Sequence, residues 1–168
     1  MIEKIKLLQL TLPETKYLKS GNTDIDRFEC RFNIKDILPD IVIQATLKRV
    51  KDKEDWFWCA PRLFYHESLN IIVGSGIYIR PLNKRKVELG YGVVKPYEGK
   101  GFATAGVACL VKEVLICQKI ELIIAQTSVD NIASERVLEK NGFLRNGQFK
   151  DEEDGLLNLW KYESQKKD

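Results

Sequence analysis

The chain reads as a mixed α/β protein, one domain spanning residues 1–168. Three observations predict this. Strand-like segments with short links come first, in hairpin order. A strand, a glycine-rich loop, an amphipathic helix and an apolar strand then follow between Val87 and Thr127, the order of a βαβ unit with a right-handed crossover. The third is size: 168 residues, 44% of them hydrophobic, suit one domain with a real core.

The elements follow in order. Ile2 to Leu12 alternates and reads as a first strand. Pro13-Glu14-Thr15 looks like a helix start, with proline early and an acidic residue beside it, and the helix should end near Ser20-Gly21-Asn22. Thr23 to Lys35 has no clear period and stays open. Asp36 to Glu54 reads as one helix from the partial spacing of Ile37, Ile41, Gln44, Ala45, Leu47 and Lys48, with Lys48-Arg49-Val50-Lys51 on a solvated face. Trp56 to Tyr65 is aromatic and strand-like, limited by Pro61 to an edge or a break. Ile71 to Ile79 and Val87 to Val94 are strands, and Arg80 to Lys86 is the turn that makes them a hairpin. Phe102 to Gln118 is a helix whose Val107, Leu110, Val111, Val114 and Leu115 fall on one face. Ile120 to Thr127 is an apolar strand. Asn131 to Lys140 is a short helix closed by Asn141-Gly142. Phe143 to Phe149 and Leu156 to Tyr162 are two last strands around the acidic turn Lys150 to Gly155, and the polar tail from Glu163 frays.

Composition excludes several functions. The 27 basic and 24 acidic residues leave a net charge of +3, not the basic excess of a dedicated nucleic-acid binder. No apolar run reaches the roughly 18–20 residues needed to span a bilayer, so no membrane role is expected. The N-terminus lacks a signal-peptide core, which makes the cytoplasm the default location. Cys30, Cys59, Cys109 and Cys117 form no C-x-x-C pair, and His66 is the single histidine. A metal site is therefore not expected, and no local signature supports a Cys–His nucleophile.

The densest chemical signal is Glu98-Gly99-Lys100-Gly101-Phe102-Ala103-Thr104, between a strand and a helix. Backbone N–H groups at a helix start have no partner within the helix and make an anion site with the helix dipole. Glycines let a phosphate approach the backbone, and Lys100 adds positive charge. The spacing is neither a Walker A loop nor a dinucleotide fingerprint, since Thr104 stands where a third glycine would be needed. Taken alone, Gly-Lys-Gly is a weak signal, and a plain glycine turn is the better reading of it.

Pro96, Gly99-x-Gly101-x-Ala103, the amphipathic helix, the apolar strand and then Asn131-x-x-Ser134-x-x-Val137-Leu138-Glu139-Lys140-x-Gly142-Phe143 together resemble the GCN5-related N-acetyltransferase (GNAT) superfamily. The resemblance covers Ile71 to Tyr162 well and the N-terminal third only in element order. It is most similar to the branch of the ribosomal-protein-alanine N-acetyltransferases. It implies a central, splayed mixed sheet flanked by helices, acetyl-CoA as co-substrate, and acetyl transfer to an amine. It implies that Gly99, Lys100, Gly101, Phe102, Ala103 and Thr104 hold the pyrophosphate, and that Val93-Val94 bind the pantetheine amides by their backbone. Asn131 and Ser134 would lie near the pantetheine arm and the thioester. The family's loop begins with Arg or Gln; here Glu98 fills that position.

Acyl transfer needs an unprotonated amine, so a base must take a proton near neutral pH. Glu88 is the candidate. Alternation puts Glu88, Gly90, Gly92 and Val94 on one face of their strand and Val87, Leu89, Tyr91 and Val93 on the other. One carboxylate and two glycines leave room for a substrate. The competing reading is an exposed glutamate paired with Lys84 or Lys86. Two departures matter. The branch commonly places a catalytic Glu five residues before the Asn, where Gln126 stands, and many members place a Tyr acid seven residues after it, where Leu138 stands. Ser134 is the leading replacement as acid or stabiliser; its other reading is an ordinary first-turn serine. Asn131 is equally a good helix N-cap. The acidic turn Asp151 to Asp154 could favour a cationic acceptor, though a solvated charge run is the commoner reading.

Two further readings stand beside an N-acetyltransferase: a catalytically silent coenzyme A-binding module, and a nucleotide-phosphate binder unrelated to coenzyme A. The acceptor, a small-molecule amine or a protein N-terminus, is not specified by these residues, and a homodimer is left open.

Overall fold

A computed structural model describes residues 4–27, 33–79, 85–117 and 119–164. Residues 80–84 of the turn expected over Arg80 to Lys86, Cys30, Gln118 and residues 165–168 lie outside the described residues.

The described strands form a seven-stranded sheet in the order β1-β2-β3-β4-β5-β7-β6. They are β1 (Ile5–Gln9), β2 (Arg62–His66), β3 (Ile71–Tyr78), β4 (Lys86–Val93), β5 (Leu122–Ser128), β6 (Leu144–Asp151) and β7 (Gly155–Glu163). Every pairing is antiparallel except β4 with β5, which is parallel. That parallel pair is the predicted βαβ unit, and its crossover is α5 (Phe102–Ile116).

Helices cover both faces. On one, α5 packs on β1, β3 and β4, and α6 (Ile132–Lys140) packs beside α5. This core joins Val107, Leu110 and Val114 of α5 to Phe64, Val73, Val87, Leu89 and Leu138. On the other, α1 (Leu12–Lys19), α2 (Ile34–Ile37) and α3 (Asp40–Lys51) enclose Leu10, Leu18, Ile37, Ile43, Leu63 and Ile72. Strand β3 is buried on both faces, which is why it reads as an almost unbroken apolar run.

The first helix starts on a capping box: the Thr11 hydroxyl accepts from the Glu14 N–H, and the Glu14 carboxylate accepts from the Thr11 N–H at 2.9 Å.

Two expectations need correcting. The single helix expected over Asp36 to Glu54 is two, α2 and α3, because Pro39 forces the residue before it out of helical geometry: Leu38 sits at φ −134°, ψ 93°. The second helix then buries Ile43, Thr46 and Leu47 and leaves Ile41 exposed. The aromatic stretch Trp56 to Tyr65 is not one strand. Asp55 caps a helical turn, α4 (Trp56–Cys59), accepting from the Phe57 N–H at 2.9 Å, and β2 begins only after Pro61. Phe57 and Trp58 pack against Tyr78 in the core.

Candidate active site

The sheet opens at its middle. The parallel ladder joins Lys86 to Leu122 and continues only to Leu89 opposite Ala125. Beyond that point β4 follows β3, pairing Gly90 to Val93 with Ile77 to Gly74, while β5 follows β7, pairing Gln126 to Ser128 with Leu159 to Leu157. The β4 and β5 edges facing one another therefore carry no ladder there, and backbone groups are presented to whatever enters the gap.

Two cavities meet at this gap. The first, about 520 Å³, is lined by Gly92 and Val93 of β4, by Glu98, Gly99 and Gly101 to Thr104 of the loop, and by Asn131, Ser134, Arg136 and Lys140 on the opposite side. The second, about 390 Å³, is lined by Glu88, Gly90, Gln126, Asp154 and Leu157 among others. Tyr91, Asn131 and Ser134 line both.

The first cavity is built to take an anion. Gly99 and Gly101 have φ of +71° and +84°, a region that favours glycine, and a Cβ built on either would meet nothing within 4 Å. Gly101 is the N-cap of α5 and supplies no side-chain cap, whereas α1, α2, α4 and α6 each have one. The first-turn N–H groups of a 15-residue helix thus face the cleft with its dipole behind them. Phe102 anchors the loop below, 4% exposed and edge-on to His66 and Tyr97. Arg136 and Lys140, one helical turn apart, supply cations across the cleft, and Glu98 lines it as an exposed carboxylate. These groups fit a ligand carrying several phosphates. Lys100 lies with its ammonium 5.4 Å from the centre of the Tyr97 ring and is not among the lining residues. Val94 is buried in the second core, its N–H donated to the Val73 carbonyl at 2.9 Å, while Val93 lines the cleft.

Around the junction, Asn131 caps α6, its Oδ1 accepting from the Ser134 N–H at 3.1 Å. The Ser134 hydroxyl donates to Tyr91 Oη at 3.1 Å, and Tyr91 Oη donates to the Ser134 carbonyl at 3.2 Å. Burial pushes the Tyr91 phenol above its ordinary value, against the opposing pull of the Ser134 hydrogen bond. Glu88 is 7% exposed and lines the second cavity, so it is not the exposed glutamate of the competing reading. Gly90 leaves less room than alternation suggested, because a Cβ there would meet Ile79 at 2.7 Å; Gly92 is open. Leu138 is fully buried and Gln126 faces the second cavity.

Comparison with known proteins decides the family. The model for the acetyltransferase (GNAT) domain matches residues 9–144. The chain belongs to the GNAT family. A curated relative, the uncharacterised N-acetyltransferase YjdG of Bacillus subtilis (strain 168), is 28% identical over 80 residues, 48% of each protein, so that match spans about half the relative's length. Among solved structures, the ribosomal-protein-S5-alanine acetyltransferase of Vibrio fischeri superposes with a TM-score of 0.67 at 16% identity, covering 99% of this chain and 96% of its own. A microcin C7 self-immunity acetyltransferase solved with acetyl-CoA and AMP gives 0.65 at 19% identity, covering 96% and 93%. Both share the GNAT fold.

Among the lining residues, Tyr91, Arg136 and Lys140 carry no role expected from the sequence. Alternation puts Tyr91 on the strand face opposite Glu88, yet at the splay it reaches both cavities. Arg136 and Lys140 carried a legible signal, two cations at i and i+4 on the helix after the glycine loop. Among the described residues no group of three His, Cys, Asp or Glu could hold a metal ion, and no helix is long and apolar enough to cross a membrane.

Proposed function

We propose that the protein is an N-acetyltransferase that moves an acetyl group from acetyl-CoA directly to a primary amine through a tetrahedral intermediate. The observation that carries this reading is the meeting of the two cavities at Tyr91, Asn131 and Ser134. The phosphate-fitting cleft takes the diphosphate and adenosine end of acetyl-CoA. The unladdered edge of β4 up to Val93 pairs with the pantetheine amides, which directs the thioester to the junction. The second cavity takes the acceptor, and the carboxylates of Glu88 and Asp154 favour an amine that arrives as a cation. Glu88 receives the ammonium proton, directly or through a water, so that the nitrogen lone pair becomes available. In this reading the Ser134 hydroxyl and the Asn131 amide stabilise the charge that develops on the carbonyl oxygen. The acceptor is a small-molecule amine or a protein N-terminus. The setting is the cytoplasm, consistent with Cys59, Cys109 and Cys117 as free thiols.

Isothermal titration with coenzyme A, beside a thiol-release assay with acetyl-CoA and an amine panel, tests this. The panel holds peptides with free N-terminal alanine or serine, and polyamines. Saturable coenzyme A binding and amine-dependent thiol release are expected. No coenzyme A binding, or thermal stabilisation by ATP but not by coenzyme A, overturns the reading.

A second reading, a coenzyme A-binding module without catalysis, is favoured by one observation. Neither Gln126 in the acceptor cavity nor the buried Leu138 can move a proton. Tight binding with no turnover on any amine would select it.

A further inference from the structure

Breakdown of the tetrahedral intermediate expels a thiolate, and the groups within reach of the junction differ in their ability to protonate it. The Asn131 side-chain oxygen is committed to the α6 cap. The Ser134 hydroxyl proton is donated to Tyr91. Leu138 is apolar and fully buried. His66 packs on Phe102 and accepts from the Leu69 N–H through Nδ1, outside both cavities. Tyr91 alone of these brings an acidic hydroxyl to the wall that both cavities share.

Resting on the proposed acetyl transfer, we propose that Tyr91 is the catalytic acid that protonates the departing coenzyme A sulfur, with Ser134 holding its hydroxyl at the junction. A phenol, with an ordinary pKa of about 10, lies close to a thiol at about 8.5, a match that suits proton transfer; an aliphatic hydroxyl is far too weak an acid. Burial, which raises the Tyr91 phenol, keeps it protonated through neutral pH. The pair is also geometrically tied. Ser134 donates to Tyr91 Oη and its carbonyl accepts from it, so turning one hydroxyl hydrogen aims the proton at the gap while the oxygen stays in place.

The amine nitrogen forms a bond to the acetyl carbon. The carbon–sulfur bond then breaks with its electron pair going to sulfur. The Oη–H bond of Tyr91 breaks and its proton joins the sulfur, giving the free thiol. The surplus proton on the new amide nitrogen passes to the phenolate and restores Tyr91. One amine and one thioester become one amide and one thiol, with no other reactant.

Tyr91→Phe, Ser134→Ala and the double variant, in the full chain, separate this role from a structural one. Turnover of Tyr91→Phe should fall about 10²- to 10⁴-fold, the usual contribution of a positioned acid, with KM for acetyl-CoA nearly unchanged. Ser134→Ala should lose less, and the double variant should lose less than the product of the two single losses.

A binding readout needs no acceptor. With the wild type, coenzyme A affinity should rise about 10- to 100-fold from about pH 7 to above about pH 9, because a phenol donates to a thiolate in a charge-assisted bond. Tyr91→Phe should abolish that rise. Desulfo-coenzyme A, lacking the sulfur, should bind both forms alike at either pH. Site-specific 3-fluorotyrosine at position 91 preserves packing and should move the alkaline limb of turnover to lower pH.

A retained alkaline rise in Tyr91→Phe, full turnover by that variant, or a Ser134→Ala loss exceeding it overturns the assignment while leaving acetyl transfer standing. Failure of the wild type to bind coenzyme A removes the proposed function itself.

Discussion

Replacing Gly101 with valine sets a small cost to the fold beside a large cost to ligand binding. Gly101 sits at φ +84°, and a Cβ there meets no protein atom within 4 Å. The folded state therefore suffers backbone strain and no clash. A left-handed residue with a Cβ costs about 1–2 kcal/mol, and at about 2–4 °C per kcal/mol for a chain of this size the melting temperature should drop by about 2–8 °C. The space that is empty of protein is the cleft itself. There the new methyl groups hold a phosphate away from the first-turn N–H groups of α5. Losing two charge-assisted hydrogen bonds at about 1.5–3 kcal/mol each removes about 3–6 kcal/mol. The dissociation constant for coenzyme A should rise roughly 10²- to 10⁴-fold. Titration calorimetry measures the second effect and a circular dichroism melt the first. A variant that melts lower but binds coenzyme A within threefold of wild type would refute the phosphate cradle.

Three more outcomes follow from the same geometry. Glu88→Gln should lower turnover by about 10²- to 10⁴-fold near neutral pH with coenzyme A affinity retained, and unchanged rates between about pH 6 and 9 would remove it as the base. Arg136→Ala and Lys140→Ala, both exposed, should each weaken coenzyme A binding about 2- to 5-fold at low salt, with the difference vanishing at high salt; a salt-independent loss in titration would count against a phosphate contact. Gly106→Ala in α5 should destabilise although alanine is the better helix former by about 1 kcal/mol. Its Cβ would lie 2.5 Å from Cδ2 and Cζ of the fully buried Phe64, and such overpacking costs about 1–3 kcal/mol. A melting temperature above wild type would show that the Phe64 ring yields freely.

Legibility in the sequence tracked how local the cause was. The βαβ unit, the β3–β4 pairing, the glycine loop before α5 and the Asn131 cap of α6 rest on periodicity, φ preference and side-chain capping within a few residues, and all were readable. The break at Leu38–Pro39 was equally local, and its signal was outweighed by the apolar spacing on either side of it. The aromatic run at Trp56 misled because bulky side chains suit a strand and a buried helical turn alike, and Asp55 as a cap selects the turn.

The site divides the same way. Gly99, Gly101, Phe102, Ala103, Thr104, Asn131 and Ser134 could be named from motif and spacing, and all line the first cavity. Strand alternation alone could not place Tyr91, because it assumes a continuous flat sheet. Nor could it bring Asp154, from the turn after β6, to the cavity of Glu88.

By itself the amino-acid sequence determined most of the segments that become helix or strand, where an anion could meet a helix start, and the family to which that order belongs. Only the tertiary structure decided that β4 and β5 part after Leu89 and Ala125, each held by its outer neighbour. The physical reason is that a splay is a competition among strand pairings far apart in the chain. It brings Tyr91 of β4 to the start of α6, and no local pattern of residues encodes that meeting.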